Sequence, residues 1–178
     1  MLLRCSLGLA LVLLSACNSD VAVSPPAEQR TLLYQPQALG SFVRMNQTNA
    51  EQHFVSGIYT LEANAWRWTG GQAVLRLYLK ETAGLQYAMK FAAPREVLAH
   101  HSPMHIRIRL NGQPWEELRY DKDGIYDFAK PVPAGLLKPQ AENLVTIEIA
   151  EPLPSNGRGP ELGFILVEAG FQPAAGDA

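Results

Sequence analysis

The hydrophobic pattern of this chain runs in steps of two. The clearest stretch is Met104-His105-Ile106-Arg107-Ile108-Arg109-Leu110, where Met104, Ile106, Ile108 and Leu110 alternate with His105, Arg107 and Arg109. Successive side chains of a strand point to opposite faces, so this alternation predicts a strand with one buried face. Asn111-Gly112 follows at once, a dipeptide suited to the positive φ angles of a type I′ turn. Gln113 to Tyr120 is therefore expected to run back beside it. Asp121 to Gly124 then turns the chain again, and Ile125 to Ala129 adds a third strand, completing a meander.

The same period recurs on both sides of this unit. Leu75, Leu77 and Leu79 share a face within Ala73 to Lys80, and Leu85, Tyr87, Met89 and Phe91 share one within Leu85 to Phe91. Val145, Ile147 and Ile149 alternate with Thr146 and Glu148. Leu162 to Val167 is apolar on both faces apart from Gly163, the mark of a central strand. Gly57 to Leu61 and Trp66 to Thr69 are shorter candidates, and Asn49 to Phe54 reads at most as a short helical turn. Helical periodicity is weak elsewhere. Seven to nine short strands separated by turn signals predict an all-β fold, an antiparallel two-sheet sandwich.

Several of these segments together carry a resemblance. Ile108-Arg109-Leu110-Asn111-Gly112, then Gly124-Ile125-Tyr126-Asp127-Phe128, then Leu136-Leu137, then Glu142-Asn143-Leu144-Val145-Thr146-Ile147-Glu148-Ile149 resemble the galactose-binding-like jelly roll. Domains of that kind occur beside many polysaccharide-handling enzymes. The resemblance spans about residues 57–170 and implies a jelly-roll fold with a carbohydrate-binding-like role. The matched positions are framework positions, so it assigns no ligand contacts.

The N-terminus has a different pattern. Arg4 gives a positive start, Ser6 to Leu14 is almost wholly apolar, and Ser15-Ala16 is small. The apolar run is far shorter than the ~20 residues a membrane-spanning helix needs, which fits a processed signal peptide. Leu14-Ser15-Ala16-Cys17 resembles the lipobox of bacterial lipoproteins. The resemblance implies removal of residues 1–16 and lipid attachment, palmitate included, at Cys17. Because Asn18 follows where Asp would retain the protein at the inner membrane, it also implies an outer-membrane lipoprotein facing the periplasm. The alternative is an ordinary secretory signal with Cys17 incidental. Asn18 to Arg30 has Pro25, Pro26, Ser19 and Ser24 and no apolar period, so 17–30 reads as a flexible linker. Extended, such a tether reaches roughly 45 Å. The sandwich is expected over 31–172 and a disordered tail over 173–178.

Charge excludes one class of partner. The chain carries a net −2, and removing residues 1–16 takes away only Arg4. No basic excess invites nucleic acid or forms a polybasic membrane patch. Only two cysteines are present, Cys5 and Cys17; the lipobox resemblance implies that the first leaves with the leader and the second is consumed by lipid. No thiol then remains for a disulfide, metal or nucleophile.

The candidate ligand-binding residues are Trp66, Trp68, Trp115, Arg107 and Arg109. Trp66 and Trp68 fall on one strand face with Arg67 turned the other way. Exposed, they make a stacking platform for sugar rings; buried, they are core aromatics, and burial of at least one is expected. Burial is also the expectation for Trp115, beside Pro114. His105, Arg107 and Arg109 form a basic row that suits an acidic polysaccharide or lipid phosphate, but a solvated face paired with acids such as Glu148 or Glu117 is the simpler expectation.

No catalytic residue, cofactor or metal is assigned. His100-His101, on an extended chain, point opposite ways, and His53 and His105 complete no His-Glu-x-x-His pattern. Asp121, Asp123 and Gly124 lack the spacing of a calcium loop. Glu116-Glu117 are strand neighbours that diverge, and Gly70-Gly71 reads as a turn. The expected function is a membrane-anchored, non-catalytic binding domain for a cell-envelope glycan or a glycan-handling protein. The alternative is a structural or assembly lipoprotein docking on another envelope protein through a sheet face or edge, suggested by the small size, the missing catalytic motifs and the apolar Leu162 to Val167 strand; a hydrolase ranks third.

Overall fold

The structure is a computed structural model that describes residues 39–157 and 159–174. The expected leader, Cys17 and its linker lie outside the described residues, as does the end of the tail.

Among the described residues nine strands form: β1 (Phe42–Arg44), β2 (Phe54–Glu62), β3 (Trp66–Leu79), β4 (Leu85–Ala93), β5 (Met104–Leu110), β6 (Gln113–Tyr120), β7 (Gly124–Pro131), β8 (Ala141–Ile149) and β9 (Ile165–Pro173). A single helical turn and a half, α1 (Arg95–His100), joins β4 to β5, and a 3-10 turn covers Ala50–His53. All pairings are antiparallel, in the order β6-β5-β8-β3-β9-β4-β7, with β1 added to β9 and β2 to β3.

β3 explains the shape. Arg67 and Trp68 pair with Leu166 and Ile165 of β9, whereas Gln72 to Leu79 pair with β8. One strand thus serves two halves of the sheet, changing partners at Gly70-Gly71. That pair lies inside a strand instead of forming the expected turn, because missing side chains let neighbours approach. A Cβ on Gly71 would stand 2.8 Å from the Glu161 carboxylate, which accepts its backbone N–H at 3.0 Å. Gly in a strand interior commonly marks such a bend or close approach.

The sheet curls until its ends face each other. Strands at or next to opposite ends of the hydrogen-bonded order touch through their rings: Tyr87 of β4 with Trp115 of β6 at 6.0 Å, and Trp115 with Phe128 of β7 at 6.1 Å. Tyr120 and Tyr126 meet at 4.3 Å. The result is an all-β antiparallel sandwich made from one continuous sheet. Its core takes Leu75, Leu77, Ile106, Ile108, Val145 and Ile147 from one half and Tyr87, Met89, Phe91, Leu166 and Phe171 from the other.

The alternation of Met104 to Leu110 is reproduced residue by residue in β5, with Met104, Ile106, Ile108 and Leu110 buried. Asn111 (φ 50°) and Gly112 (φ 82°) take the positive angles expected of their turn. The meander does not form. β7 pairs with β4, not β6, so the Asp121–Asp123 connection is a corner between layers. β9 is central, between β3 and β4, as the run Leu162 to Val167 implies, although it starts only at Ile165. The two asparagines of the jelly-roll resemblance prove to be partners. Asn111 Nδ2 donates to Asn143 Oδ1 at 2.9 Å and its Oδ1 accepts from Leu144 N. Buried Asn143 also accepts from Lys138 N and donates to the carbonyls of Lys138 and Ala141. Both its donors and both its acceptor sites are used, the condition under which a buried amide is tolerated.

Candidate functional site

The cleft at the junction of β5, β6 and β7 unites three of the five candidate residues. Its volume is about 600 Å³, and Arg107, Arg109 and Trp115 line it together with Ile108 and Pro114. Glu116, Glu117 and Lys130 complete the wall.

Trp115 owes its place to a break in register. Ile108 lies opposite Glu116 and Arg109 opposite Pro114, so Trp115 is an extra residue, a β-bulge, on β6. A bulge bends the strand and re-aims a side chain. Pro114 is tolerated beside it because β6 is an edge strand and needs no donor on its outer side. The indole is half-buried, backed edge-on by Tyr87 at an interplanar angle of 90° and by Phe128 at 68°. Tyr87 is itself fully buried, and burial pushes its phenol well above the ordinary range. The expectation of burial for Trp115 is therefore half met: one side rests on the core and the other borders the cleft.

The basic row is paired as the pattern of acids implies. Arg107 Nε lies 3.5 Å from Glu117 Oε1, and Arg109 Nε lies 3.5 Å from Glu148 Oε1. Glu148 also accepts from Gln72 Nε2 at 3.0 Å. His105, the third member, is exposed one pair further along β5. Glu116 turns away from Glu117 and joins Lys130 of β7, an ion pair that crosses between the two facing ends of the sheet. Neither Glu116 nor Lys130 is among the candidates read from the sequence. The signal available was a lysine between Ala129 and Pro131 on a strand with aromatic inward positions, but its partner depends on the curl.

Trp66 and Trp68 lie elsewhere, on the part of β3 that pairs with β2 and β9. Both are half-buried, and Trp68 packs against the core. Their rings are 6.2 Å apart at 83°, a perpendicular pair instead of a flat two-ring platform. Arg67 does turn the other way, inward. It donates to the carbonyls of Met45 and Tyr59 at 3.1 and 3.0 Å, meets Glu51 at 3.3 Å and lies over the Phe54 ring at 4.9 Å. A charge buried among so many acceptors holds β1, β2 and β3 together.

The histidines are scattered. His100 ends α1 and His101 follows it, so the extended-chain premise fails for them; His101 pairs with Glu151 at 2.5 Å. His53 is buried and donates through Nδ1 to the Arg76 carbonyl. Among the described residues no three His, Cys, Asp or Glu side chains cluster as metal ligands. Asp123 of the faint calcium-like loop is engaged by Arg95 at 3.3 Å. Between Leu162 and Val167 every residue is buried or half-buried within the sheet, so this run offers no exposed apolar patch.

No family model matches the chain, and no curated protein matches it. Solved structures do. A family 35 carbohydrate-binding module from an environmental isolate is similar at 11% identity and a TM-score of 0.40, over 75% of this chain and 97% of that one. A family 35 module of Cellvibrio japonicus is similar at 10% identity and 0.39, over 75% and 98%. A GH115 4-O-methyl-α-glucuronidase with specificity for decorated arabinogalactans is similar at 12% identity and 0.41, over 62% of this chain; the match spans 14% of the enzyme's length.

Proposed function

We propose that this chain is an envelope lipoprotein whose sandwich is a non-catalytic binding domain, for a cell-envelope glycan or a glycan-handling protein. In this reading lipid on Cys17 holds it at the outer membrane, facing the periplasm. The observation that carries the binding reading is Trp115, an indole lifted by a bulge to the border of an open cleft and flanked by directed polar groups. Ligand sites combine an apolar face with a few placed donors and acceptors. An indole supplies the face for the C–H surface of a sugar ring, and Arg107, Arg109, Glu117 and Lys130 supply the polar groups. Both lining carboxylates are held in ion pairs, Glu116 by Lys130 and Glu117 by Arg107, an arrangement that suits recognition.

The test is calorimetric titration of the full chain with purified envelope polysaccharides. Binding is expected, weakened about tenfold by Trp115→Phe, which keeps the contacts to Tyr87 and Phe128 but shrinks the stacking face. Trp66→Phe leaves it unchanged. Binding that survives Trp115→Phe at full strength removes the cleft as the site. Absence of binding together with co-purification of an envelope protein moves the assignment to the protein partner.

A further inference from the structure

We infer that the glycan this cleft selects is uncharged, an inference that rests on the binding reading above and names its ligand class. The sequence shows a row of basic side chains on β5, which invites the thought of an acidic ligand. The structure pairs both arginines of the row, and the lysine that joins them from β7, with acids. Arg107, Arg109 and Lys130 each face a carboxylate, from Glu117, Glu148 and Glu116 respectively. The six groups come from β5, β6, β7 and β8, so positive and negative alternate across strands. Of the charged groups that line the cleft three are cations and two carboxylates, and Glu148, next to Arg109 but outside the lining, supplies the third acid.

Consider what each kind of ligand meets there. A carboxylate or phosphate that reaches a guanidinium must displace the glutamate already beside it and then lie next to that displaced charge. Two like charges at about 4 Å repel by about 1 kcal/mol even in water and by more beside a protein wall. Such a site discriminates by what it repels as well as by what it attracts. An arriving ligand meets Glu117 first, since its side chain is 78% exposed against 24% for Glu148 and 16% for Glu116.

A sugar hydroxyl meets no such obstacle. It donates to a carboxylate lone pair while accepting from a guanidinium N–H, and the ion pair stays closed. Arginine has five N–H donors and a carboxylate about four acceptor sites, so a pair joined through one Nε leaves most of them for the ligand. The alternating pairs therefore form a row of donor–acceptor couples beside the stacking face of Trp115. That pattern matches a neutral polyol.

The experiment uses the full chain and calorimetry against neutral hexasaccharides of glucose, galactose, mannose and N-acetylglucosamine. Hexamers of galacturonate and glucuronate are the acidic counterparts. At least one neutral hexamer is expected to bind about tenfold more tightly than either acid. Its affinity should change less than about threefold between about 20 and about 500 mM NaCl, because a closed ion pair releases no charge to be screened. Glu117→Gln should shift the ratio of acidic to neutral affinity about tenfold toward the acids, whatever it takes from the neutral hexamer by removing an acceptor. Tighter binding of an acid, lost at high salt, overturns the inference and leaves the glycan reading standing. No binding to any hexamer, neutral or acidic, overturns both.

Discussion

The imidazole of His53 sits at the end of the 3-10 turn with 1% of its surface exposed. Nδ1 donates to the Arg76 carbonyl at 3.1 Å, and Nε2 is buried with no hydrogen-bond partner among the described residues. Burial lowers its pKa from 6.5, aided by the nearby Arg76 charge and opposed by the bond to the carbonyl. Arg76 is fixed by its own bond to the Gln52 carbonyl at 2.7 Å, so the cation cannot swing away without cost. The consequence for stability has a definite sign. Above pH 6.5 the ring is neutral in both states and the native fold keeps its full stability. As pH falls below 6.5 the unfolded chain takes up a proton that the native state refuses, and stability declines until the lowered native pKa is reached. The thermal midpoint should therefore fall between about pH 7 and pH 5 in a part that His53→Gln removes. An unchanged slope in that variant would show that the ring titrates freely.

Strand β5 separates packing from surface charge on adjacent residues. Ile108 is 1% exposed within the core, whereas Arg107 points outward in an exposed ion pair. Ile108→Ala should cost about 2–5 kcal/mol in chemical denaturation, from lost transfer energy and the cavity left behind. Arg107→Ala should cost about 0.5 kcal/mol or less, since exposed ion pairs contribute little. Equal losses would place the strand's faces wrongly. This strand was legible in the sequence because its evidence is local, seven residues of alternation followed by a turn dipeptide. The partner of β7 was not legible. Its pattern says only that one face is buried, and whether β6 or β4 lies beside it depends on how far the whole sheet curls. β1 has three residues and α1 six, too few for any period to register. The cleft was legible in pieces. Trp115, Arg107 and Arg109 stand out by residue type, and the pairing with Glu117 and Glu148 follows from cross-strand neighbours. The bulge that aims the indole, and Lys130 arriving from the other end of the sheet, arise only on folding. Trp66 and Trp68 show the converse: correct spacing for a shared face, but an edge-on ring geometry that spacing does not encode.

For the molecule as a whole the proposal joins a lipid address to a sandwich. Cys17→Ala is expected to abolish incorporation of a palmitate analogue and to move the protein to the soluble fraction or leave it as a precursor. Labelling that persists in this variant would sink the lipoprotein reading, whatever the sandwich binds. The sandwich itself has no seam along which it can come apart in stages. β3 hydrogen-bonds to β8 through one length and to β9 through another, so neither half keeps a complete sheet if the other melts. Small domains in which no element is dispensable unfold in one step. Amide exchange should report this as a plateau. The amide protons of Gln72 to Leu79 that bond within the sheet should open only with the whole molecule, at one shared free energy, while those at the tip of the β5–β6 turn exchange by local fraying. The strand that shapes the fold would then also set the molecule's lifetime against proteases, which cut what opens.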